Sequence, residues 1–200
     1  MSSMLATIAC KIRDVVRDKA QEIPKFREGS GGGAIRILAY PACREADDWF
    51  GGLGDFSKTP YDIPDYEVTF AIKTGGSRVT TGVWDGVEQR VDCYGYSALK
   101  IAHCSLAQDL GVGLLSGLNL HKPHLTEDNG YGPYLGALCV EVNWTNGDNI
   151  IKPFCGIYVC VSGADSADDL RCAIAAIEVI KEFFTDKDGF TINAPGFPAK

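Results

Sequence analysis

Residues 134–162 read YLGALCVEVNWTNGDNIIKPFCGIYVCVS, and this stretch decides the fold. Two β-rich runs, Tyr134 to Trp144 and Lys152 to Ser162, lie on either side of Thr145-Asn-Gly-Asp-Asn149. An Asn-Gly pair between such runs is a strong signal for a tight turn that joins antiparallel strands. The stretch therefore predicts a β-hairpin.

Three further β-rich segments lie upstream of this hairpin. Ala34–Tyr40 follows a run of glycines and has the composition of a strand. Tyr66–Lys73 and Arg78–Trp84 are also β-rich, and Gly75-Gly76 between them is typical of a turn. The sequence therefore predicts that these last two segments pair as a second hairpin.

Apolar residues recur at helical spacing in three segments. The first segment ends before Pro24, and the second, Ser97 to Leu110, stops at Gly111. The third begins near Ser166, where Asp169 three residues later imitates a capping box. The predicted buried stripes are Leu5, Ile8, Ile12 and Val15; Leu99, Ala102, Leu106 and Leu110; and Ala173, Ile177, Ile180 and Phe184.

The predicted elements follow one another as helix, strand, hairpin, helix, hairpin and helix. Adjacent hairpins favour an antiparallel sheet, and the helices between them can cover its faces. A length of 200 residues suits one domain of ordinary size. We predict a single α+β domain over residues 1–200, in which 41–65 form an insert or long loop and 186–200 an extended tail.

The charged residues exclude some classes of partner. The chain holds 19 Lys and Arg against 26 Asp and Glu, which gives a formal net charge of −7. Because an acidic surface repels phosphate backbones, we expect no nucleic-acid partner. No apolar stretch approaches the length of a membrane span, and residues 1–14 lack the pattern of a signal peptide. We therefore expect no membrane partner and a cytoplasmic location.

The eight cysteines form no Cys-x-x-Cys pair and show no zinc-finger spacing, so we expect no structural metal site. Most of them lie within apolar runs, where a free thiol behaves as a small hydrophobic side chain. We predict reduced thiols in the core. An enzyme that uses a loop thiol, Cys43 or Cys93, stays open as a weaker alternative.

The three histidines give two interpretations each. His121 and His124 lie in a predicted loop, where they are either solvated or ligands to a metal or haem iron that needs further ligands. His103 lies at the edge of the stripe of the second helix, four residues after Leu99. It is either a half-buried core residue or a group that lines a pocket and binds a ligand or carries a proton.

Two segments together are similar to the haem-binding GlcG/HbpS-like family, whose members include a domain attached to some corrinoid adenosyltransferases. The first is Val68-Thr-Phe-Ala-Ile-Lys-Thr-Gly-Gly-Ser-Arg-Val79, followed by Trp84-Asp85-Gly86 and by Ser97-Ala-Leu-Lys-Ile-Ala102. The second is Gly156-Ile-Tyr-Val-Cys-Val-Ser-Gly-Ala164, followed by an acidic helix start. The resemblance covers roughly residues 66–184 and marks them as the core of the domain.

The resemblance implies a profilin-like antiparallel sheet flanked by helices, assembled as a homo-oligomer, that binds a small molecule or haem. The candidate binding residues are Gly75 and Gly76 at one turn, Ser162 and Gly163 at the end of the last strand, and His103 from the stripe of the second helix; the alternative for the two glycine sites is ordinary turn geometry. Glycines let a ligand approach the backbone closely, and a helix N-terminus that follows them favours a carboxylate such as a haem propionate.

Two classes of function therefore stay open. The first is a small-ligand binding protein with haem as the candidate cofactor, and the second is a non-catalytic oligomeric scaffold or protein-interaction domain with the same fold. No catalytic constellation is evident in the sequence, so whether the chain is an enzyme stays undecided.

Overall fold

The computed structural model describes residues 4–28, 31–40, 43, 66–72, 80–84, 87–91, 97, 100–101, 104, 136–145, 150–185, 187 and 189–196. The helices are α1 (Met4–Gln21), α2 (Pro24–Glu28) and α3 (Ser166–Thr185). The strands are β1 (Gly32–Ala39), β2 (Tyr66–Ala71), β3 (Thr80–Trp84), β4 (Val87–Val91), β5 (Ala137–Thr145), β6 (Ile151–Ser162) and β7 (Phe190–Asn193). Ser97, Lys100, Ile101 and Cys104 are also helical.

Five of the strands form one sheet in the order β2-β1-β6-β5-β7, and every pairing in it is antiparallel. This sheet and its helices confirm the predicted α+β class. The pairing of β5 with β6 confirms the predicted hairpin, with an irregularity in register between Val142 and Asn143. The hairpin supplies the two strands that β1 and β7 extend on either side.

The predicted hairpin over 66–84 is wrong. Strand β2 pairs with β1, and β3 pairs instead with β4 in a separate two-stranded sheet. Only Asp85-Gly86 separates β3 from β4, and this dipeptide is typical of two-residue hairpins. The register of β1 with β2 sets Gly33 opposite Phe70, whose ring lies 2.3 Å from where a Cβ on Gly33 would be. The absent side chain of Gly33 therefore makes room for the Phe70 ring.

The tail predicted over 186–200 contains a strand that the sequence analysis missed. Phe190–Asn193 forms β7 and pairs with residues 141–144 of β5 at the edge of the sheet. The Phe190 ring stacks edge-on against Phe154, with 4.9 Å between ring centroids. Aromatic packing therefore holds this short strand on the sheet.

The two faces of the sheet are covered by different helices. Helices α1 and α3 pack side by side over one face, where Ile35, Val140 and Val159 are buried. On the other face, Ile101 and Cys104 pack against β1, β5 and β6. Because both faces are covered, β6 is buried continuously from Phe154 to Ser162, which explains its unbroken apolar sequence.

The third predicted helix forms, and all four residues of its predicted stripe are buried. Its N-terminus differs from the predicted capping box. The carboxylate of Asp165 accepts a hydrogen bond from the Asp168 amide at 3.0 Å, so Asp165 is the N-cap. None of the described helices combines the length and the apolar character that crossing a bilayer requires.

Candidate functional site

The two segments that carry the family resemblance meet at one end of the sheet. Ser97 and Lys100 come from the first segment, and Ser162 and Asp169 lie at and after the end of the second. Gly136, which immediately precedes β5, lies between them. We call these five residues the sheet-end cluster.

A buried ion pair lies at the centre of the sheet-end cluster. Lys100 Nζ donates to Asp169 Oδ2 at 2.6 Å and to the carbonyl oxygen of Val161 at 2.9 Å. The two side chains are only 5% and 4% exposed. The pair therefore joins the helix that carries Lys100 to the end of β6 and to the first turn of α3.

The sequence around Lys100 explains why an ammonium group reaches this place. Ser97, Lys100, Ile101 and Cys104 are spaced as one face of a helix, and all four are buried against the sheet. Gly136 has a φ of 128°, and a Cβ there would lie 2.7 Å from Lys100 Nζ. The absent side chain of Gly136 thus leaves the space that the ammonium occupies.

Asp169 also holds the loop before α3. Its Oδ1 accepts a hydrogen bond from the Ala164 amide at 3.0 Å. Burial raises the pKa of Asp169 above its ordinary value, and the Lys100 ammonium and the Ala164 amide oppose that rise. Both carboxylate oxygens are therefore bonded within the protein.

Ser97 ties the helix to the sheet by two contacts. Its hydroxyl donates to the carbonyl oxygen of Gly32 at 3.4 Å, and its own carbonyl oxygen accepts from Cys160 Sγ at 2.9 Å. The spacing Ser97-x-x-Lys100 is also that of some serine nucleophiles and their lysine partners. Here Ser97 is fully buried and Lys100 is paired with Asp169, so the pattern builds the fold and does not activate a hydroxyl.

Ser162 is the one member of the sheet-end cluster with an unpaired polar group. Its hydroxyl oxygen is buried and has no hydrogen-bond partner among the residues that the structure describes. Ser162 alternates along β6 with Val161, on the same sheet face as Cys160. Gly163 and Ala164, which follow it, are half-buried, so solvent comes within one residue of Ser162.

The N-terminus of α3 is acidic and already capped. Asp165 bonds the Asp168 amide, Asp169 bonds the Ala164 amide, and Lys25 Nζ reaches Asp165 Oδ2 at 2.9 Å. Two carboxylates, those of Asp165 and Asp169, therefore occupy the place where the sequence analysis expects a haem propionate. A bound carboxylate would have to displace a carboxylate of the chain.

The structure describes two of the five predicted binding residues. Ser162 ends β6, and Gly163 has a φ of 141°, a conformation that favours glycine. Gly75, Gly76 and His103 lie outside the described residues, so their part in the site stays a prediction. His121 and His124 lie outside them as well.

Lys100 and Asp169 are the residues of the site that sequence reasoning missed. The signal was the spacing Ser97-Ala-Leu-Lys100 at a helix start, in which a lysine shares the buried face with a serine. The predicted stripe of Leu99, Ala102, Leu106 and Leu110 lies outside the described residues, whereas Ser97, Lys100, Ile101 and Cys104 form a buried face. Sequence reasoning assigned Lys100 to no buried position.

None of the described cysteines forms a disulfide, and all of them except Cys10 are buried. This confirms the predicted core position of most thiols. Burial raises the pKa of Cys160 to about 11, and it raises the pKa of Cys104 and Cys155 well above the ordinary value. Cys43 is fully buried, which removes it as an accessible nucleophile, and Cys93 lies outside the described residues.

No group of three or more metal-ligating side chains comes together within the described part of the chain. No protein-family model matches the chain, and no curated protein or solved structure matches it either. We therefore infer function from the geometry of the sheet-end cluster.

Proposed function

We propose that the protein binds a small molecule at the sheet-end cluster. The observation that carries this proposal is the buried Ser162 hydroxyl, which has no hydrogen-bond partner among the described residues. Leaving such a group unpaired costs about 1–3 kcal/mol, and a ligand atom bonded to it would recover that cost. The half-buried Gly163 and Ala164 give a ligand its nearest approach. The family resemblance, which marks Ser162 and Gly163, supports the same place.

A screen of small molecules by ligand-observed NMR tests this proposal, with wild type and Ser162→Ala measured side by side. We expect compounds whose affinity falls about tenfold in Ser162→Ala, because the variant lacks one ligand hydrogen bond. Thr185→Ala removes a hydroxyl at the other end of α3 and is the matched control. Equal affinities for wild type and Ser162→Ala, or no saturable binder, would refute the proposal.

Haem is the specific ligand that the resemblance implies, but the described residues do not fit it. They contain no histidine for the iron, and Lys100, the buried cation, is neutralised by Asp169. The carboxylates at the start of α3 oppose a propionate. Haem binding therefore depends on the predicted role of His103 and on residues outside the described part.

Titration with haemin, followed by its Soret band, tests the haem form of the proposal. A shift that is lost in His103→Ala, with His121→Ala and His124→Ala as comparisons, would support ligation by His103. No shift would remove haem as the ligand and leave the small-molecule proposal to the screen.

The alternative function, an oligomeric scaffold or interaction domain, has one observation in its favour. Ile150 and Ile151 are 54% and 66% exposed, and no other large hydrophobic side chain among the described residues is exposed. We propose that this pair contributes to a homo-oligomer contact. Light scattering of the wild type and of Ile150→Asp/Ile151→Asp tests this contact, which predicts an oligomeric wild type and a smaller variant. A monomeric wild type would refute the proposal.

The state of the cysteines bears on the cellular location of the protein. Buried cysteines outside disulfides, as the described ones are, persist in a reducing compartment, so we propose a cytoplasmic protein, in agreement with the sequence prediction. Immunofluorescence of the full chain tests this, and a secreted protein would contradict it.

A further inference from the structure

Strand β2 lies at one edge of the five-stranded sheet. In the strand order of the described chain its neighbour is β1, and β3 pairs with β4 in a separate sheet. An edge strand presents a row of backbone N–H and C=O groups that its own sheet does not use, and such a row can pair with a strand of another chain. Thr69, in the second half of β2, is exposed, so solvent reaches this strand.

The register of β1 with β2 decides which backbone groups of β2 face outward. The Ile72 amide donates to the carbonyl oxygen of Gly31 at 2.8 Å, so these two residues form a hydrogen-bonded pair. Hydrogen-bonded and non-hydrogen-bonded pairs alternate along an antiparallel ladder. Glu67, Thr69 and Ala71 therefore occupy the non-hydrogen-bonded positions opposite β1. Their N–H and C=O groups point away from β1, toward the outer side of the sheet.

Arg17, on α1, bonds one of these outward groups. Its Nε donates to the carbonyl oxygen of Ala71 at 2.9 Å. Its guanidinium carbon lies 5.7 Å from the centroid of the Phe70 ring, which is within the range of a cation–π contact. Phe70 is buried and Arg17 is half-buried. The ring and the carbonyl together hold the guanidinium at the edge of the sheet.

The outward residues of β2 are complementary to the same residues of a second copy. An antiparallel pairing about Thr69 would set Thr69 opposite Thr69 of the second copy and Ala71 opposite its Glu67, so no two like charges would face each other. Each Ala71 carbonyl oxygen would then accept from the Glu67 amide of the second copy. A guanidinium bonded to that oxygen takes the space that this amide needs.

We infer that Arg17 prevents β2 from pairing with β2 of a second copy of the chain. Charged side chains protect sheet edges in many β proteins, and here the charge comes from the neighbouring helix α1. The contact involves neither Ser162 nor the exposed pair Ile150 and Ile151. Its test is therefore independent of the small-molecule site and of the oligomer contact proposed above.

Analytical ultracentrifugation of Arg17→Ala and of Arg17→Ala/Thr69→Pro tests this inference, with Ile150→Asp/Ile151→Asp as the common background. We expect Arg17→Ala to self-associate with a dissociation constant about tenfold or more below that of the background protein. Thr69→Pro removes an outward N–H that β1 does not use, and edge strands accept proline at such positions. We expect it to restore the weak association of the background protein.

Arg13→Ala is the matched control, because Arg13 lies on the same helix and bonds its neighbour Asp14. It should leave self-association unchanged. An Arg17→Ala protein that associates no more than the background protein would overturn the inference. Association of Arg17→Ala that persists with Thr69→Pro would also overturn it, because a general loss of stability would act in this way.

Hydrogen exchange locates the contact without the proline variant. In Arg17→Ala, the Thr69 amide should exchange about tenfold more slowly at a protein concentration above the dissociation constant than at one below it. Exchange of this amide at the same rate in the associated and the monomeric protein would place the contact elsewhere and overturn the inference, even if Thr69→Pro does not fold.

Discussion

Ser97, on the helix that covers one face of the sheet, and Ser162, on that face of β6, differ in the hydrogen bonding of their hydroxyls. The Ser97 hydroxyl donates to Gly32 O, whereas the Ser162 hydroxyl has no partner in the described chain. A buried unpaired hydroxyl lowers stability, and residues that lower stability are characteristic of functional sites. Replacing each serine with alanine should therefore change the free energy of unfolding in opposite directions.

Ser162→Ala should raise the free energy of unfolding by about 1 kcal/mol, because it removes a desolvated hydroxyl that bonds nothing in the protein. Ser97→Ala should lower it by about 1 kcal/mol, because it removes the buried hydroxyl that donates to Gly32 O. Urea denaturation of both variants and the wild type measures the two changes. A loss of stability in Ser162→Ala equal to that in Ser97→Ala would contradict the assignment.

Removing one charge of the Lys100–Asp169 pair should cost more stability than removing both charges. Lys100→Met leaves the Asp169 carboxylate buried without its cation, so we expect a loss of about 3 kcal/mol in unfolding free energy. Lys100→Met/Asp169→Leu removes both charges and should lie within about 1 kcal/mol of wild type.

Thermal denaturation of the single and double variants tests this pair. Lys25→Met, which breaks the exposed pair with Asp165, is the control and should leave the melting temperature nearly unchanged. A double variant as unstable as Lys100→Met would show that the charges themselves stabilise the fold.

At the scale of elements, local patterns predicted α1, α3 and the β5–β6 hairpin, but they predicted neither α2 nor the pairing of β2. The stripe of α3 and the Asn146-Gly147 dipeptide that predicted the β5–β6 hairpin are both patterns of neighbouring residues. The pairing of β2 with β1 depends on residues that are far apart in the sequence, such as Gly33 and Phe70. No pattern in the sequence near β2 distinguishes β1 from β3 as its pairing partner.

The same limit applies to the site. Ser162 and Gly163 were predicted because a strand end before a helix start is visible in the sequence. The burial of Lys100 was not, because it requires that Gly136 and Asp169 come to the same place from two other elements. Tertiary packing decides which face of the helix that carries Lys100 is buried, and local sequence propensity does not.

Gly136, immediately before strand β5, is a glycine that both its backbone conformation and its neighbours require. Gly136→Ala should destabilise the protein by about 2 kcal/mol or more, because its φ of 128° strains an L-residue and the new Cβ would meet Lys100 Nζ at 2.7 Å. Gly196→Ala, which has nothing within 4 Å of the new Cβ, should be nearly neutral. Chemical denaturation of both variants checks the difference, and equal stabilities would contradict the packing around Lys100.

At the scale of the whole molecule, the buried thiols set an upper pH limit on stability. Burial raises the pKa of Cys160 to about 11, whereas an unfolded chain ionises its thiols near pH 8.5. Between these values the unfolded state binds fewer protons than the folded state, so the free energy of unfolding falls as pH rises.

Each thiol of this kind contributes a slope of about 1.4 kcal/mol per pH unit across that window. Cys160→Ser removes the ionising group and keeps a donor for Ser97 O, so its stability should fall less steeply between pH 9 and 11. Urea titrations at several pH values measure both slopes. Parallel curves for variant and wild type throughout this range would contradict the prediction, whereas parallel curves below pH 8 are expected.

The account rests on a ligand at the Ser162 hydroxyl, and a crystal structure of the protein soaked with the tightest compound of the screen tests that most directly. We expect an oxygen of the compound within hydrogen-bond distance of Ser162 Oγ, with Lys100 still bonded to Asp169. A compound bound elsewhere, or a Ser162 hydroxyl that bonds a group of the protein itself, would contradict the account.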